Sequence, residues 1–587
     1  MSIKERIEAL RQVMEEAQIA AWIVPGTDPH MNEYLPKYWA ERSFISGFTG
    51  SAGKVLITQD MAGLWTDGRY FIQAKKQLEE GGLQLFKEGI EGTPTIEAYL
   101  LSTLKKGDKV GLNGLIVPEQ LKLTYEKTLA SKGIELITHL DLIAQVWSER
   151  PALSDNPLFT LPESITGEST ASKLARLRKA MGEADAVLFN MLDENAWLYN
   201  LRGSDVKCNP VVMSYTWVEK ESAILFVDED KVTDADRAVL EEVGISLFPY
   251  DAILDMLPEL SAGKHVITDF NKTNHALVAA MPQAKVNHKP SWVALEKAKK
   301  NNVELKGTRL AMEKDGVALT QFFMWLEKSV AEKELNEYEI GLQLDAFRAK
   351  QDDYVGESFN PIVGYEANGA ITHYAAPKQG SKVVKPKGIL LLDSGGQYKH
   401  GTTDITRTVA LGPVSDEMKT DFTLVLKGHI NLSCAKFPKG TRGSQLDALA
   451  RIALWNEAKD YQHGTGHGVG HFLNVHEGPQ NIRKEENLTK LMEGMIISNE
   501  PGYYVEGKYG IRIENLVTVK TFNDDFLAFE NLTLFPIDKK LIDVTLLSVK
   551  EKDWLNNYHE EVYRRLSQYL NDEENAWLRD KTLPILA

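Results

Sequence analysis

The chain has 587 residues, of which 43% are hydrophobic and 26% charged, and its formal net charge is −16. This length exceeds what one hydrophobic core normally serves, and the composition is typical of a globular rather than a disordered protein. The acidic balance, without a long basic run, argues against binding to nucleic acid or to an anionic membrane. Neither is therefore expected as a partner.

The cysteine content and the first residues indicate the compartment. Cys208 and Cys434 are far apart in sequence, so we do not expect a disulfide framework, and a reducing compartment fits best. Residues 1–18 form a charged amphipathic pattern without the apolar core of a signal peptide. No apolar run reaches the roughly 18 residues that span a bilayer. These features predict a cytoplasmic protein.

Two α/β domains are predicted in the first half of the chain. The first has an amphipathic helix, an apolar strand at 20–24, strands in GKVLIT and GLWTDGRYF, and a further helix, IQAKKQLEE. A proline-spaced stretch near 150–165 indicates a linker. The helix-then-strand pattern restarts in ASKLARLRKAMGEADAVLF, which predicts a repeated domain. We place the two α/β domains at 1–155 and 165–303.

A third domain is predicted at 304–587. It begins with a long amphipathic helix, ELKGTRLAMEKDGVALTQFFMWLEKSV, followed by a second helix, NEYEIGLQLDAFRAK. Strand-rich, glycine-rich sequence continues to about residue 535. The remaining tail has helical periodicity and an aromatic stripe, which is typical of packing in a core or a dimer contact.

Four carboxylates in the third domain are embedded in apolar strands. Asp393 ends the strand GILLLD, and Asp404 is predicted within the next strand, eleven positions later. Glu500 ends the strand IISNE, and Glu514 is predicted in the middle of the strand YGIRIENLVTV. A carboxylate at such a position is costly unless something pairs with it, and a metal ion is one such partner.

The stretch HGTGHGVGHFLNVHEGP places three histidines four residues apart, at positions 463, 467 and 471. On a helix this spacing would resemble a zinc-binding face, but the alternating glycines favour an extended backbone. Spacing alone leaves the ligand undecided. Two aspartates, two glutamates and one histidine carry more negative charge than one divalent ion neutralises, so two metals fit better. Mn²⁺ is preferred for this ligand set, with Co²⁺, Fe²⁺ and Zn²⁺ as alternatives.

These motifs, D-x10-D, HGTGHGVG…NVHEGP, SNEPGYY and GIRIEN, resemble those of the pita-bread metallopeptidases, which include methionine aminopeptidase, prolidase and aminopeptidase P. The resemblance implies five metal ligands. Asp404 and Glu514 would bridge two metals, Asp393 would bind one of them, and His467 and Glu500 would bind the other.

Nearly the whole chain resembles the three-domain, cytosolic type of Xaa-Pro aminopeptidase. The markers are TDGRYF, NLRGSD, EANGAITHYAAP and WLNNYHEEV. The resemblance implies two creatinase-N-like α/β domains followed by a pita-bread catalytic domain, assembled as a homodimer. One departure is His400, which stands where many relatives are expected to have an acidic residue.

The resemblance also implies a mechanism and a substrate. A metal-bridged hydroxide would hydrolyse the bond between an N-terminal residue and a proline at position two of a peptide, with Glu500 transferring the proton. His476 would donate to the carbonyl oxygen, and His373 and His463 would line the proline pocket. Arg69 of TDGRYF would reach the substrate from the first domain, although a salt bridge is a nearly equal alternative.

Two other residues and two other functions complete the predictions. Arg512 is expected to orient Glu514 or another ligand, and His471 is expected to be structural. A prolidase restricted to Xaa-Pro dipeptides is the alternative enzyme. A non-catalytic pita-bread binding module is the alternative from another functional class.

Overall fold

The computed structural model describes residues 1–585, which form two compact units. The first contains residues 1–163 and 168–293, and the second contains residues 164–167 together with the chain from 294 onward. The chain passes between the units within the short helices Glu163–Thr166 and Trp292–Ala298 and again just after the first of them. No helix among the described residues is long and apolar enough to cross a membrane.

The first sheet of the first unit has six strands with mixed pairing. Helices flank it, and the first of them begins with a capping box in which Ser2 and Glu5 satisfy each other's backbone N–H groups. The helices are Ile3–Glu16, Glu41–Ser46, Phe71–Gln77, Ile96–Thr103, Glu119–Ala130 and Leu142–Val146. The strands, in spatial order, are Gln84–Lys87, Ala62–Thr66, Lys54–Thr58, Ala21–Val24, Lys109–Gly111 and Glu135–Ile137.

The second sheet of this unit repeats the first. Its strands, in spatial order, are Ile245–Phe248, Ala223–Val227, Ser214–Glu219, Ala186–Phe189, His265–Thr268 and Lys285–His288. Its helices are Thr170–Ala180, Leu192–Leu198, Asp234–Glu242, Ile253–Ser261 and His275–Ala279. In both sheets the first strand in sequence lies fourth in the spatial order, antiparallel to the third and parallel to the fifth. The predicted repetition of an α/β domain is therefore confirmed.

Buried polar contacts join the two halves of the first unit. His30 contacts the carbonyl oxygen of Asn190 through Nδ1 at 2.7 Å and the hydroxyl of Tyr250 through Nε2 at 2.8 Å. Asn274 donates from Nδ2 to the carbonyl oxygen of Pro29 at 2.9 Å. Because unpaired polar groups are costly when buried, these contacts fix the relative position of the two sheets.

The second unit wraps helices around short, mostly antiparallel sheets. Its helices are Asn302–Glu332, Glu337–Arg348, Asp416–Ser433, Asp447–Trp455, Val549–Leu566 and Asp572–Thr582. One sheet has the spatial order Ile362–Tyr365, Ile389–Ser394, Ile405–Ala410. A larger one has the order Lys436–Pro438, Phe526–Asn531, Asn515–Thr521, Ile496–Asn499, Gly466–Gly468, Glu477–Ile482. The remaining strand pairs are Gly502–Val505 with Tyr509–Arg512, Leu335–Asn336 with Val383–Val384, Tyr354–Glu357 with Gly396–Tyr398, and the latter with Gly401–Thr402.

The long helix Asn302–Glu332 packs against one face of the three-stranded sheet and leaves the other face to the carboxylates. Phe322 of the helix shares a buried cluster with Leu390 and Leu392 of the central strand. Because side chains alternate along a strand, Asp393 belongs to the opposite face. The core therefore determines the side on which the polar site forms.

Two positions differ from the predicted elements. Asp404 immediately precedes the strand Ile405–Ala410 rather than lying in it, and Glu514 lies in a break between Tyr509–Arg512 and Asn515–Thr521 rather than within one strand. In each case the chain passes from one sheet to another, which hydrophobic patterning does not encode, and the carboxylate lies close to His467.

Candidate metal centre

The five predicted ligands come from five separate segments of the second unit. Asp393 lies on the strand Ile389–Ser394, opposite Thr406 of the antiparallel neighbour, and Asp404 immediately precedes that neighbour. Glu500 directly follows the strand Ile496–Asn499, and this strand pairs with the one that follows Glu514. The antiparallel register thus brings positions distant in sequence to one place.

His467 lies on the short strand Gly466–Gly468, so the extended backbone predicted from the glycines is confirmed. The glycines on either side are required by close packing. A Cβ on Gly466 would collide with the carbonyl oxygen of Ser498, and a Cβ on Gly468 would collide with that of Glu477. His467 is therefore held between two neighbouring strands that approach it too closely for side chains at the flanking positions.

The side chains of Asp404, His467 and Glu514 form a group whose potential ligand atoms all lie within 4.8 Å of one another. His467 Nε2 lies 3.3 Å from Asp404 Oδ2 and 3.5 Å from Glu500 Oε1. The other ring nitrogen, Nδ1, contacts the carbonyl oxygen of Gly468 at 2.9 Å. This contact orients the imidazole with Nε2 toward the carboxylates.

One hydrogen bond each holds Asp393 and Glu514. Arg512 donates from Nη2 to Asp393 Oδ2 at 2.6 Å, and Thr406 donates its hydroxyl to Glu514 Oε2 at 2.7 Å. The other oxygens, Asp393 Oδ1 and Glu514 Oε1, are buried and have no hydrogen-bond partner among the described residues. Buried carboxylate oxygens without donors are costly, and a cation would remove that cost.

The electrostatics of the cluster are those of a cation site. Burial, together with the charges of neighbouring carboxylates, raises the pKa of Asp393 and raises that of Glu514 well above its usual value. Burial raises the pKa of Glu500 to about 7. Although burial lowers the pKa of His467, its contacts with Asp404 and Glu500 raise it to about 9. A set of carboxylates that resists ionisation without a counter-charge fits divalent metal ions.

The other predicted histidines lie around this cluster. The ring of His476 is 4.4 Å, centroid to centroid, from that of His467. His463 contacts the hydroxyl of Tyr504 through Nε2 at 2.8 Å. His373 follows Thr372, whose carbonyl oxygen accepts a hydrogen bond from Arg512 at 3.4 Å. All three histidines are partly buried.

Arg69, His400 and His471 have other surroundings. Arg69, in the first unit, forms an ion pair with Asp67 at 2.8 Å. His471 is buried, with its Nδ1 3.5 Å from the Thr308 hydroxyl. His400 lies 3.6 Å from Asp353 Oδ2.

Tyr504 and Thr406 were not predicted from the sequence. Tyr504 accepts a hydrogen bond from Arg512 at 2.6 Å and contacts His463, so it connects the arginine to the histidine. Thr406 holds Glu514. The sequence offers a weak signal for both residues. Thr406 lies two positions after Asp404, and Tyr504 lies in the PGYY stretch that follows Glu500.

Comparison with protein-family models divides the chain into known parts. Residues 306–521 match metallopeptidase family M24, and residues 525–585 match the C-terminal region of that family. Residues 6–146 and 149–304 each match the creatinase/prolidase N-terminal domain. Fold and cluster together define a metallopeptidase with two creatinase-type α/β domains ahead of a pita-bread catalytic domain, as predicted.

Similarity to individual proteins narrows the class. A probable Xaa-Pro aminopeptidase P from Coprinopsis cinerea is 42% identical, over 99% of this chain and 98% of its own length. Aminopeptidase P2 from Arabidopsis thaliana is 40% identical, over 99% of this chain and 89% of its own length. The crystal structure of an X-prolyl aminopeptidase from Caenorhabditis elegans, described as a cytosolic enzyme with a di-nuclear active site, is 35% identical, covers 100% of both chains and has a TM-score of 0.97. The chain belongs to the aminopeptidase P group of metallopeptidase family M24.

Proposed function

We propose that this protein is an Xaa-Pro aminopeptidase, which hydrolyses the bond between the N-terminal residue of a peptide and a proline at position two. The observation that carries the proposal is the whole-chain similarity to the di-nuclear C. elegans enzyme, together with the buried group of Asp404, His467 and Glu514. The substrates are peptides. Like the C. elegans protein, the chain is proposed to work in the cytosol.

We propose that two divalent ions bind the carboxylate cluster. The residues that would hold them are Asp393, Asp404, His467, Glu500 and Glu514. Mn²⁺ is the preferred ion because carboxylate ligands with one imidazole suit hard or borderline cations, with Co²⁺, Fe²⁺ and Zn²⁺ as alternatives. When bound, such ions lower the pKa of a shared water and act as Lewis acids toward the scissile carbonyl.

The protein's own side chains would carry out the proton transfers. Glu500, whose Oε1 lies 3.5 Å from His467 Nε2, would accept a proton from the attacking water and deliver it to the leaving nitrogen. His476 would donate a hydrogen bond to the carbonyl oxygen as negative charge develops there. Arg512 would keep Asp393 oriented through its 2.6 Å hydrogen bond.

His373 and His463 are proposed to bind the proline. Tyr504 supports His463, because the tyrosine hydroxyl is itself held by Arg512. Arg69 is proposed as a further substrate contact, with its ion pair to Asp67 as the alternative role. We also propose that the protein is a homodimer. We propose domains at 1–155, 165–303 and 304–587, and the ranges matched by the family models support this division.

One assay tests the proposed activity against its alternatives. The metal-free protein is reconstituted in turn with Mn²⁺, Co²⁺ and Zn²⁺, and hydrolysis of Xaa-Pro-Yaa tripeptides is compared with hydrolysis of Xaa-Pro dipeptides. Cleavage of the tripeptides supports the aminopeptidase, and cleavage of dipeptides alone identifies a prolidase. A protein that retains no transition metal even after Mn²⁺ addition would instead be a non-catalytic binding module.

A further inference from the structure

We propose that Glu337 is a positioning residue that holds the loop bearing His373, and thereby sets the selectivity for proline at position two of the substrate. This inference rests on the proposed function. The loop comprises residues 366–382 and lies between the strand Ile362–Tyr365 and the short strand Val383–Val384. The loop contains the sequence EANGAITHYAAP, whose regular secondary structure is one 3₁₀ turn.

Glu337 is fully buried, and nearly all of its hydrogen bonds go to this loop or its ends. Oε1 accepts from the backbone N–H of Tyr365 at 2.8 Å and from Nδ2 of Asn368 at 3.0 Å. Oε2 accepts from the hydroxyl of Tyr374 at 2.7 Å and from the backbone N–H of Lys382 at 3.3 Å. The carboxylate therefore forms hydrogen bonds with residues at the beginning, in the middle and at the end of the loop.

Glu337 is not needed to begin its own helix. The helix Glu337–Arg348 is capped by Asn336 and Glu339, which form a complete capping box. A carboxylate in the first turn does favour the helix, but an exposed one would do so without the cost of desolvation. The burial of Glu337 is therefore explained by the loop and not by the helix.

The donors to Glu337 lie on both sides of His373. Asn368 precedes the histidine by five residues, and Tyr374 follows it directly. Asn368 also donates from Nδ2 to the Tyr374 hydroxyl at 3.0 Å, which closes the network. Burial and the contact with Glu337 raise the pKa of Tyr374, so its phenol stays protonated as a donor. The backbone at His373 is thus fixed from two directions.

A second set of contacts ties the same loop to the metal centre. Arg512, which holds Asp393, also donates from Nη2 to the carbonyl oxygen of Thr372 at 3.4 Å. Gly369 packs against Gly510 so closely that a Cβ on Gly510 would collide with the Gly369 carbonyl oxygen. His373 therefore lies on a segment fixed by Glu337 at one side and by the arginine of the centre at the other.

The role follows from the charge and number of the hydrogen bonds. Hydrogen bonds to an ionised carboxylate are stronger than neutral ones, and replacing the carboxylate by an amide removes acceptor capacity while preserving shape. A loop released in this way would hold His373 less firmly. A misplacement of about 1 Å in a residue that positions the substrate can cost about 100-fold in rate.

The test compares Glu337→Gln with the matched control Glu339→Gln, which lies in the same helix turn and forms the capping box with Asn336. Both Mn²⁺-loaded variants are assayed on Xaa-Pro-Yaa and Xaa-Ala-Yaa tripeptides, with metal content and thermal unfolding measured in parallel. We expect Glu337→Gln to lower kcat/KM for the proline peptide at least about 10-fold, chiefly through KM, and to narrow the preference over alanine. Glu339→Gln should keep the wild-type kcat/KM for the proline peptide and the wild-type preference for proline over alanine. Metal content should be unchanged in both variants.

A double-mutant cycle separates positioning from general weakening of the fold. In a His373→Ala background, Glu337→Gln should have little further effect on kcat/KM, because the residue through which it acts is gone. Full additivity would overturn the proposal. Tyr374→Phe, which removes a single donor, gives a milder variant in case Glu337→Gln does not fold, and it should shift KM in the same direction. If the wild-type protein does not cleave Xaa-Pro-Yaa peptides, the proposed function is refuted. If the wild-type protein cleaves them and the Glu337 and Glu339 variants have equal kcat/KM values, only this inference is refuted.

Discussion

Arg512 Nη2 donates to Asp393 Oδ2 at 2.6 Å, and the same guanidinium donates from Nη1 to Tyr504 and from Nε to Thr406. Arg512 is fully buried, so its charge is balanced by the carboxylates around it. The arginine was expected to orient Glu514 or another ligand, and its contact is with Asp393. It contributes to the placement of Glu514 only through Thr406.

Replacing Arg512 by lysine should weaken metal binding. A lysine ammonium lacks the planar fork that serves Asp393, Tyr504 and Thr406 together, so at most one of these contacts would be kept. We expect the affinity for Mn²⁺ to fall roughly 10- to 100-fold, as is typical when a partner of a metal ligand is lost. Competition with a chelator measures this, and Arg442→Lys, which alters an ion pair with Glu486, is the control. Unchanged affinity would contradict the orienting role.

Replacing Asp404 by asparagine should abolish both metal retention and hydrolysis. Asp404 lies within reach of His467 and Glu514 and is the proposed bridge between the two ions. An amide keeps the shape but removes the charge that a bridging ligand needs. Elemental analysis and a tripeptide assay are the measurements, and Asp353→Asn, at a carboxylate that pairs with Lys314 and His400, is the control. A fully active Asp404→Asn protein would refute the bridging assignment.

The repeated α/β domains and the carboxylate set could be predicted because they leave local signals. Apolar runs ending in an acidic residue identified Asp393 and Glu500, and alternating glycines ruled out a helical histidine face. The residue types were sufficient to predict which side chains could donate ligand atoms to a metal ion. Resemblance to a known family supplied the pairing of ligands with metals and the roles of the remaining histidines.

The features that were not predicted depend on tertiary geometry. Asp404 and Glu514 lie outside regular strands because the chain passes from one sheet to another at those points, and hydrophobic periodicity does not report where a strand breaks. Glu337 reads in the sequence as one more acidic residue in the first turn of a helix. Only its burial and its four donors reveal another role.

Replacing Lys300 by methionine should destabilise the second unit. Glu477 is fully buried between two buried lysines, at 2.6 Å from Lys297 and 2.5 Å from Lys300. Lys300→Met leaves Glu477 Oε1 buried without a donor, while Lys297 still pairs with Oε2, and a buried acceptor left unsatisfied typically costs about 1–3 kcal/mol. Denaturant unfolding measures the loss, and Lys299→Met is the matched control, because its pair with Glu296 is partly exposed and worth about 1 kcal/mol at most. Equal losses in the two variants would contradict the prediction.

Acid should unfold the protein partly through three buried histidines. Burial lowers the pKa of His30, His429 and His559 to about 3, from an ordinary value of 6.5. In His559 the neutral ring is required, since Nε2 accepts a hydrogen bond from the backbone N–H of Ile537 at 3.1 Å. Below pH 6.5 the unfolded chain binds protons that the folded chain does not, so their contribution to stability is complete above that pH and is lost as the pH falls toward 3.

The histidine contribution can be isolated in the slope of stability against pH. Each of the three residues should lower the free energy of unfolding by up to about 1.4 kcal/mol per pH unit within that window. Urea unfolding at several pH values between 6.5 and 4 measures the slope. His559→Gln should reduce the slope by the contribution of one bound proton, which is about 1.4 kcal/mol per pH unit. Replacement of the exposed His139 is the control substitution. A His559→Gln protein with the wild-type slope would show that this ring already carries a proton in the folded state.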